Sequence, residues 1–168
     1  MDNALIRYAT PADVPVILQL VRELAEYEHA ANQVVATEDL LLDELFEKHH
    51  AEVLLAEVDG DIAGFALFFH NFSTWLGRAG IYLEDLFVRP AYRKQGLGHA
   101  LLQRLAAIAV ERNCGRLEWA CLDWNQPSID FYLSLGAQRM DEWTTYRVAG
   151  VTLEAMVRDD ALASTQKR

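Results

Sequence analysis

The chain is short of cysteine, of long apolar runs and of positive charge, and each shortage removes a class of protein. Only Cys114 and Cys121 are present, seven positions apart, a spacing that fits neither a metal site nor a redox pair. They read as reduced, mostly structural thiols. No apolar run approaches the roughly 20 residues that cross a bilayer, and the N-terminus lacks the basic, apolar, small-residue order of a secretory signal. The expected setting is the cytoplasm, with no membrane partner. Fifteen Lys and Arg face 25 Asp and Glu, for a net charge of -10 and a pI near 4.9. That balance argues against a nucleic-acid surface and favours a cationic partner, although an acidic total also serves solubility alone.

What is present is enough for one globular domain. Over 168 residues, 52% hydrophobic and 10% aromatic content suits a single sizeable core rather than disorder. No repeat or low-complexity block interrupts it. The expected domain is 1–168, with residues from about 159 to 168 as a flexible tail.

Taken in order, Ala4 to Tyr8 reads as a strand, and Thr10-Pro11-Ala12-Asp13 opens a helix with an N-cap, a proline at the first helical position and an early acid. Val14, Ile17, Leu18, Val21, Leu24 and Ala25 form its buried stripe, and Tyr27-Glu28-His29 stand at its end. Thr37 caps a second helix running to about Lys48. His49-His50 follow it without a third ligand at a supporting spacing, so no metal site is expected. Glu52–Val58 and Ile62–His70 make a hairpin around Asp59-Gly60-Asp61. Arg116–Leu122 is another strand, and Ile129 to Leu135 lie on a short helix bounded by Pro127 and Gly136. Gln138–Val148 and Val151–Val157 are expected to form a last hairpin around Ala149-Gly150.

The stretch Ile81 to Ala106 organises the rest. A short apolar strand breaks at Arg89-Pro90, a loop Arg93-Lys94-Gln95-Gly96-Leu97-Gly98 follows, and then Leu101, Leu102, Leu105, Ile108 and Ala109 recur at helical spacing. Glycines before a helix let several amides face one anion, but a bare GxG is also a common tight turn. The pattern is neither a dinucleotide fingerprint nor a P-loop, since it lacks the third glycine of one and the Gly-Lys-Ser/Thr of the other.

Arg93-x-x-Gly96-x-Gly98 after a strand ending in Val88 resembles the acyl-CoA loop of the GNAT acetyltransferases, and the order β-α-α-β-β-β-α-β-α-β-β extends that resemblance over nearly the whole chain. Tyr27-Glu28, Tyr82-Leu83-Glu84-Asp85, Tyr92-Arg93 and Trp124 through Tyr132 are similar to the spermidine/spermine branch, which also includes enzymes acetylating thialysine. The resemblance implies an α/β (α+β) GNAT fold: a mixed sheet of about seven strands, splayed at the acyl-CoA site and flanked by about four helices. It also implies a homodimer, with the last hairpin as an apolar edge needing cover.

For the site, the resemblance implies that Leu86, Phe87 and Val88 offer backbone groups to the pantetheine arm of acetyl-CoA. Lys94, Gln95, Gly96, Leu97, Gly98 and His99 would cradle its pyrophosphate, with Arg93 adding positive charge. Asn125, Gln126 and Pro127 would line its far side, and Tyr132 would sit beside the sulfur. Tyr27, Glu28, Glu84, Glu118, Trp119, Ala120, Cys121 and Asp123 would receive a small cationic amine, the Trp residues, Trp124 among them, being equally suited to core. An aliphatic ammonium with pKa about 10.4 must lose a proton before it attacks the thioester. Glu84, through water, is the expected base and Tyr132 the acid that protonates the leaving thiolate, with no metal. Asp123 and Gln126 stand where some polyamine enzymes carry glutamate, so the match softens where amine choice is decided. Acetylation of a protein amine, or acyl-CoA binding without catalysis, are the other readings left open.

Overall fold

The computed structural model describes residues 4–158, so the expected tail at 159–168 lies outside the described residues. The chain divides into two compact units, Met1–Ala120 and Cys121–Arg168. In the first, β1 (Ala4–Tyr8), β2 (Glu52–Val58), β3 (Asp61–Ser73), β4 (Arg78–Val88) and β5 (Leu117–Trp119) form one sheet in that order. Its pairs are antiparallel except β4 with β5, which is parallel. The β2–β3 hairpin closes through Asp59 and Gly60, both at positive φ, as a two-residue turn between right-twisted strands requires.

Helices cover the two faces for reasons that the sequence makes plain. α1 (Val14–Tyr27) buries Ile17, Leu20 and Leu24 against Val53, Leu55, Phe65 and Phe87, and α2 (Glu38–Leu42) continues through a π-helical turn that adds Leu45 to the same cluster. The start of α1 is tied down electrostatically, for Arg7 reaches both Asp13 oxygens at 2.9 Å and Glu57 at 3.0 Å. Those bonds hold the Asp13 carboxyl far below the usual carboxylate range, and the Thr10 amide and hydroxyl lower it further. α3 (Leu97–Glu111) buries Leu101, Leu105 and Ile108 completely and packs across the sheet.

The second unit holds α4 (Gln126–Ser134) and α5 (Gly150–Arg158). Asn125 caps α4, its side chain accepting from the Ser128 amide at 3.4 Å, and Gly136 ends it at φ 85°. The expected final hairpin is not formed. Residues 138–148 carry no strand, and 150–158 are helical. Val-Thr-Leu-Glu-Ala-Met-Val fits either period, and where no strand edge pairs with it, a run holding Leu, Glu, Ala and Met satisfies its own amides as a helix. Among the described residues the fold is therefore the expected α/β class, with five strands rather than seven and five helices rather than four. No helix among the described residues is long and apolar enough to cross a membrane, and none of their His, Cys, Asp and Glu side chains groups in threes about a metal position.

Candidate functional site

The site begins with a single extra residue in β4. Leu67 of β3 pairs with Asp85 while the next residue, Phe68, pairs with Leu83, which leaves Glu84 without a partner in the register. This is a β-bulge, and its effect is to exchange faces. Leu83 shares the face of Phe68 and Ala66, over which α3 lies; beyond the bulge Asp85 and Phe87 share the face of Leu67 and Phe65, which α1 covers. Strict alternation from Leu83 would have put Asp85 on the α3 face. The bulge instead turns it toward the end of α1, where Tyr27 packs against the core and Glu28 follows.

Three carboxylates meet at that end. Burial foremost, then Glu84 and Glu28, raise the Asp85 carboxyl from 3.8 to about 6, and burial also pushes Glu28 up. Tyr82, on the same face of β4, is raised by burial and by Glu84 and Glu118. With three carboxylates and the Arg93 guanidinium over Tyr27 and Phe87, this end of the fold carries net negative charge, which suits a cationic ligand.

Beside the bulge the sheet opens. β5 pairs with β4 only from Ile81 to Leu83, against Leu117 to Trp119, and then ends while β4 runs on to Val88. The Arg89 amide donates to Ala63 at 2.8 Å, so odd-numbered backbone groups here face β3. By alternation Leu86 and Val88 present theirs to the open edge, whereas those of Phe87 face β3 and its ring enters the core. Of the three residues expected along the pantetheine arm, Leu86 turns both backbone groups to that edge and Val88 its amide, the Val88 carbonyl accepting from Arg93. Phe87 supports the site from beneath.

The loop that follows is left-handed at Lys94 (φ 64°) and at Gly96 (φ 81°), which is the N-cap of α3. Ala100 is the first amide bonded back into the helix, to Gly96 at 2.9 Å, so the amides of Leu97, Gly98 and His99 lie in the uncommitted first turn. A side chain built on Gly96 would meet nothing within 4 Å. Open space before exposed amides at a helix start fits a pyrophosphate. Leu97, 4% exposed, anchors this turn, while Lys94, Gln95 and His99 stand in solvent.

Arg93 does not extend toward that cradle. Its Nε donates to the Val88 carbonyl at 2.8 Å, and its guanidinium lies 4.9 Å from the Tyr27 ring centre and 5.6 Å from that of Phe87. It therefore links the loop before α3, the open strand edge and the end of α1. Glu118 on β5, expected at the amine, accepts from Asn71 at 2.9 Å and pairs at 2.9 Å with Arg116, which precedes the strand. Trp119 is half-buried and Ala120 exposed.

Within the second unit, Asn125 is buried in its capping role, Gln126 donates to Asp130 at 2.6 Å, and Pro127 occupies the first turn of α4. Tyr132 is half-buried, its ring centre 5.4 Å from that of Phe131. Cys121 is half-buried, while Asp123 and Trp124 are exposed. The residue that sequence reasoning passed over is Asp85. Its signal was present in the adjacent acids Glu84-Asp85, but which face each takes depends on the bulge, and no periodicity reveals that.

Comparison with known proteins identifies the family. Residues 17–137 match the model of the acetyltransferase (GNAT) family. The chain is 39% identical to a thialysine N-epsilon-acetyltransferase of Bos taurus, over 93% of this chain and 98% of that one. It is 32% identical to an L-ornithine N5-acetyltransferase of Arabidopsis thaliana, over 90% and 86%. Among solved structures, an integron cassette protein from the mobile metagenome of V. cholerae superposes with a TM-score of 0.79 at 27% identity, covering 93% of this chain and 98% of that chain.

Proposed function

The chain belongs to the GNAT acetyltransferase family, and from that premise we propose that it moves an acetyl group from acetyl-CoA to a primary amine of a small cationic substrate. Diamines, polyamines and lysine-like amino acids are the substrate class. The observation that carries this reading is the carboxylate group Glu28, Glu84 and Asp85 beside an open strand edge. Relatives that acetylate thialysine and ornithine, both small amines, support the same class.

In this reading the amides of residues 97–99 hold the pyrophosphate, and the Leu86 and Val88 backbone aligns the pantetheine arm like an added strand. When bound, acetyl-CoA supplies a thioester whose carbonyl carbon accepts the amine. The carboxylates hold the ammonium, and one of them takes its proton; the sequence pointed to Glu84. The neutral nitrogen attacks directly, the carbon–sulfur bond breaks, and the Tyr132 phenol returns a proton to the thiolate. No residue forms a covalent bond to the acetyl group.

The family model spans 17–137 and so runs across both compact units, which supports one GNAT domain. A homodimer in the cytoplasm completes the proposal. Its original basis, an apolar strand edge, is replaced by exposed Val151, Leu153 and Met156 on α5. Sedimentation at micromolar concentration tests the dimer, and a fully active monomer would refute it. For the activity, thiol release is measured with thialysine, ornithine, lysine, spermidine and a lysine-containing peptide. Turnover on a free amine well above that on the peptide is expected; turnover on the peptide alone would replace this reading with acetylation of protein amines.

A further inference from the structure

Resting on that reading, we infer that Asp85, rather than Glu84, receives the proton of the substrate ammonium. The argument starts from position. Glu84 is the unpaired residue of the bulge and is exposed to water, whereas Asp85 is turned by the bulge onto the α1-covered face, between Phe87 and Tyr82 along that face. Shelter from water favours the protonated form of a carboxyl.

The charged groups facing Asp85 are Glu84 from its own strand and Glu28 from the end of α1. Across the register β3 offers Leu67, which is apolar, and the Arg93 guanidinium lies over Phe87 on the same face with its Nε committed to Val88. Burial and the two anions together bring the Asp85 carboxyl to about 6, near the working range of a general base, so that a proton moves to it from an ammonium with a smaller uphill step than to an unshifted acid. The charge count points the same way. While the ammonium is present, it and the Arg93 guanidinium offset the three carboxylates in part; once its proton is removed only Arg93 remains, and protonation of one acid relieves the repulsion among the three.

Written out, one N–H bond of the ammonium breaks and its proton forms an O–H bond on Asp85. The nitrogen lone pair then forms the bond to the thioester carbon, the carbon–sulfur pair leaves with sulfur, and the thiolate takes the phenol's proton. The second N–H proton, lost as the amide forms, restores the phenol through solvent, and Asp85 releases the first to water, so the site returns to its starting charge.

The test compares a strongly basic amine with one that is already neutral at pH 7.5. With thialysine, Asp85→Asn is expected to lower kcat/KM about 10²–10⁴-fold, the usual range for loss of a general base. With methoxyamine, which has no proton to surrender before attack, the loss is expected to be about tenfold or less. Glu84→Gln, which weakens the hold on the ammonium, is expected to raise the KM for thialysine with little change in kcat, and Asp85→Glu to recover part of the thialysine rate. Equal losses for both amines in Asp85→Asn, or the selective loss of kcat appearing in Glu84→Gln instead, would overturn the assignment. Parental thialysine turnover in Asp85→Asn would do the same. If the parent protein releases no thiol with any amine, the proposed function itself fails and the assignment falls with it.

Discussion

The guanidinium of Arg93 lies 4.9 Å from the centre of the Tyr27 ring, and its Nε donates to the Val88 carbonyl at 2.8 Å. One side chain on the loop before α3 thereby fastens the end of α1 to the open end of β4. A residue read from sequence as positive charge beside the pyrophosphate is placed to join two elements of the fold.

Replacing it separates those roles. Arg93→Gln loses a charge-assisted hydrogen bond and a cation–π contact, together about 2–3 kcal/mol before relaxation. The expected result is a rise of about tenfold in KM for the amine as well as for acetyl-CoA. Arg93→Lys is not expected to restore either, because an ammonium cannot hold the carbonyl and cover two rings as a planar fork does. Steady-state kinetics with both substrates varied reads this out; an effect confined to acetyl-CoA would return Arg93 to a purely electrostatic role.

Gly96 is required for its backbone rather than for room within the chain. At φ 81° any other residue is strained, although a Cβ there meets no protein atom. Gly96→Ala is expected to lower stability by about 1–2 kcal/mol. Gly96→Glu adds an anion before the amides of 97–99 and is expected to abolish acetyl-CoA binding in a folded protein. Calorimetric titration together with thermal unfolding distinguishes the two, and parental affinity in Gly96→Glu would misplace the cradle.

Tyr132→Phe keeps the ring that packs beside Phe131 and removes only the phenol. Acetyl-CoA affinity is expected to stay within about twofold while kcat falls about 10²–10⁴-fold, the signature of a lost acid. Binding by calorimetry and turnover at several pH values check this. Parental turnover across the range would leave Tyr132 as packing.

Asp85 also makes a stability prediction that needs no substrate. Its folded pKa of about 6 lies above the ordinary 3.8, so the folded state holds the extra proton and stability falls as pH rises from about 4 to about 6. Above that window the ionised, sheltered carboxylate costs at most about 3 kcal/mol. Asp85→Asn is therefore expected to unfold at higher denaturant than the parent at pH 8, with the advantage vanishing near pH 4. Denaturant melts at both pH values measure it, and an equal gain at both would mean that ionisation is not the cause.

Much of this protein was determined by sequence alone, because local chemistry decided it. Asp59-Gly60 specified a two-residue turn, the leucines after Gly98 specified a buried helix face, and Pro127 and Gly136 bracketed α4 to within a residue or so. The turn at Gly96 that opens α3 was equally legible, since it needs only residues in immediate succession. Tertiary structure decided what depends on neighbours distant in the chain. Whether 150–158 became strand or helix turned on the presence of a partner edge, which its own ambiguous period does not encode. The role of Asp85 turned on one unpaired residue in β4, because a bulge reverses every side chain beyond it and only the register against β3 shows where that reversal falls.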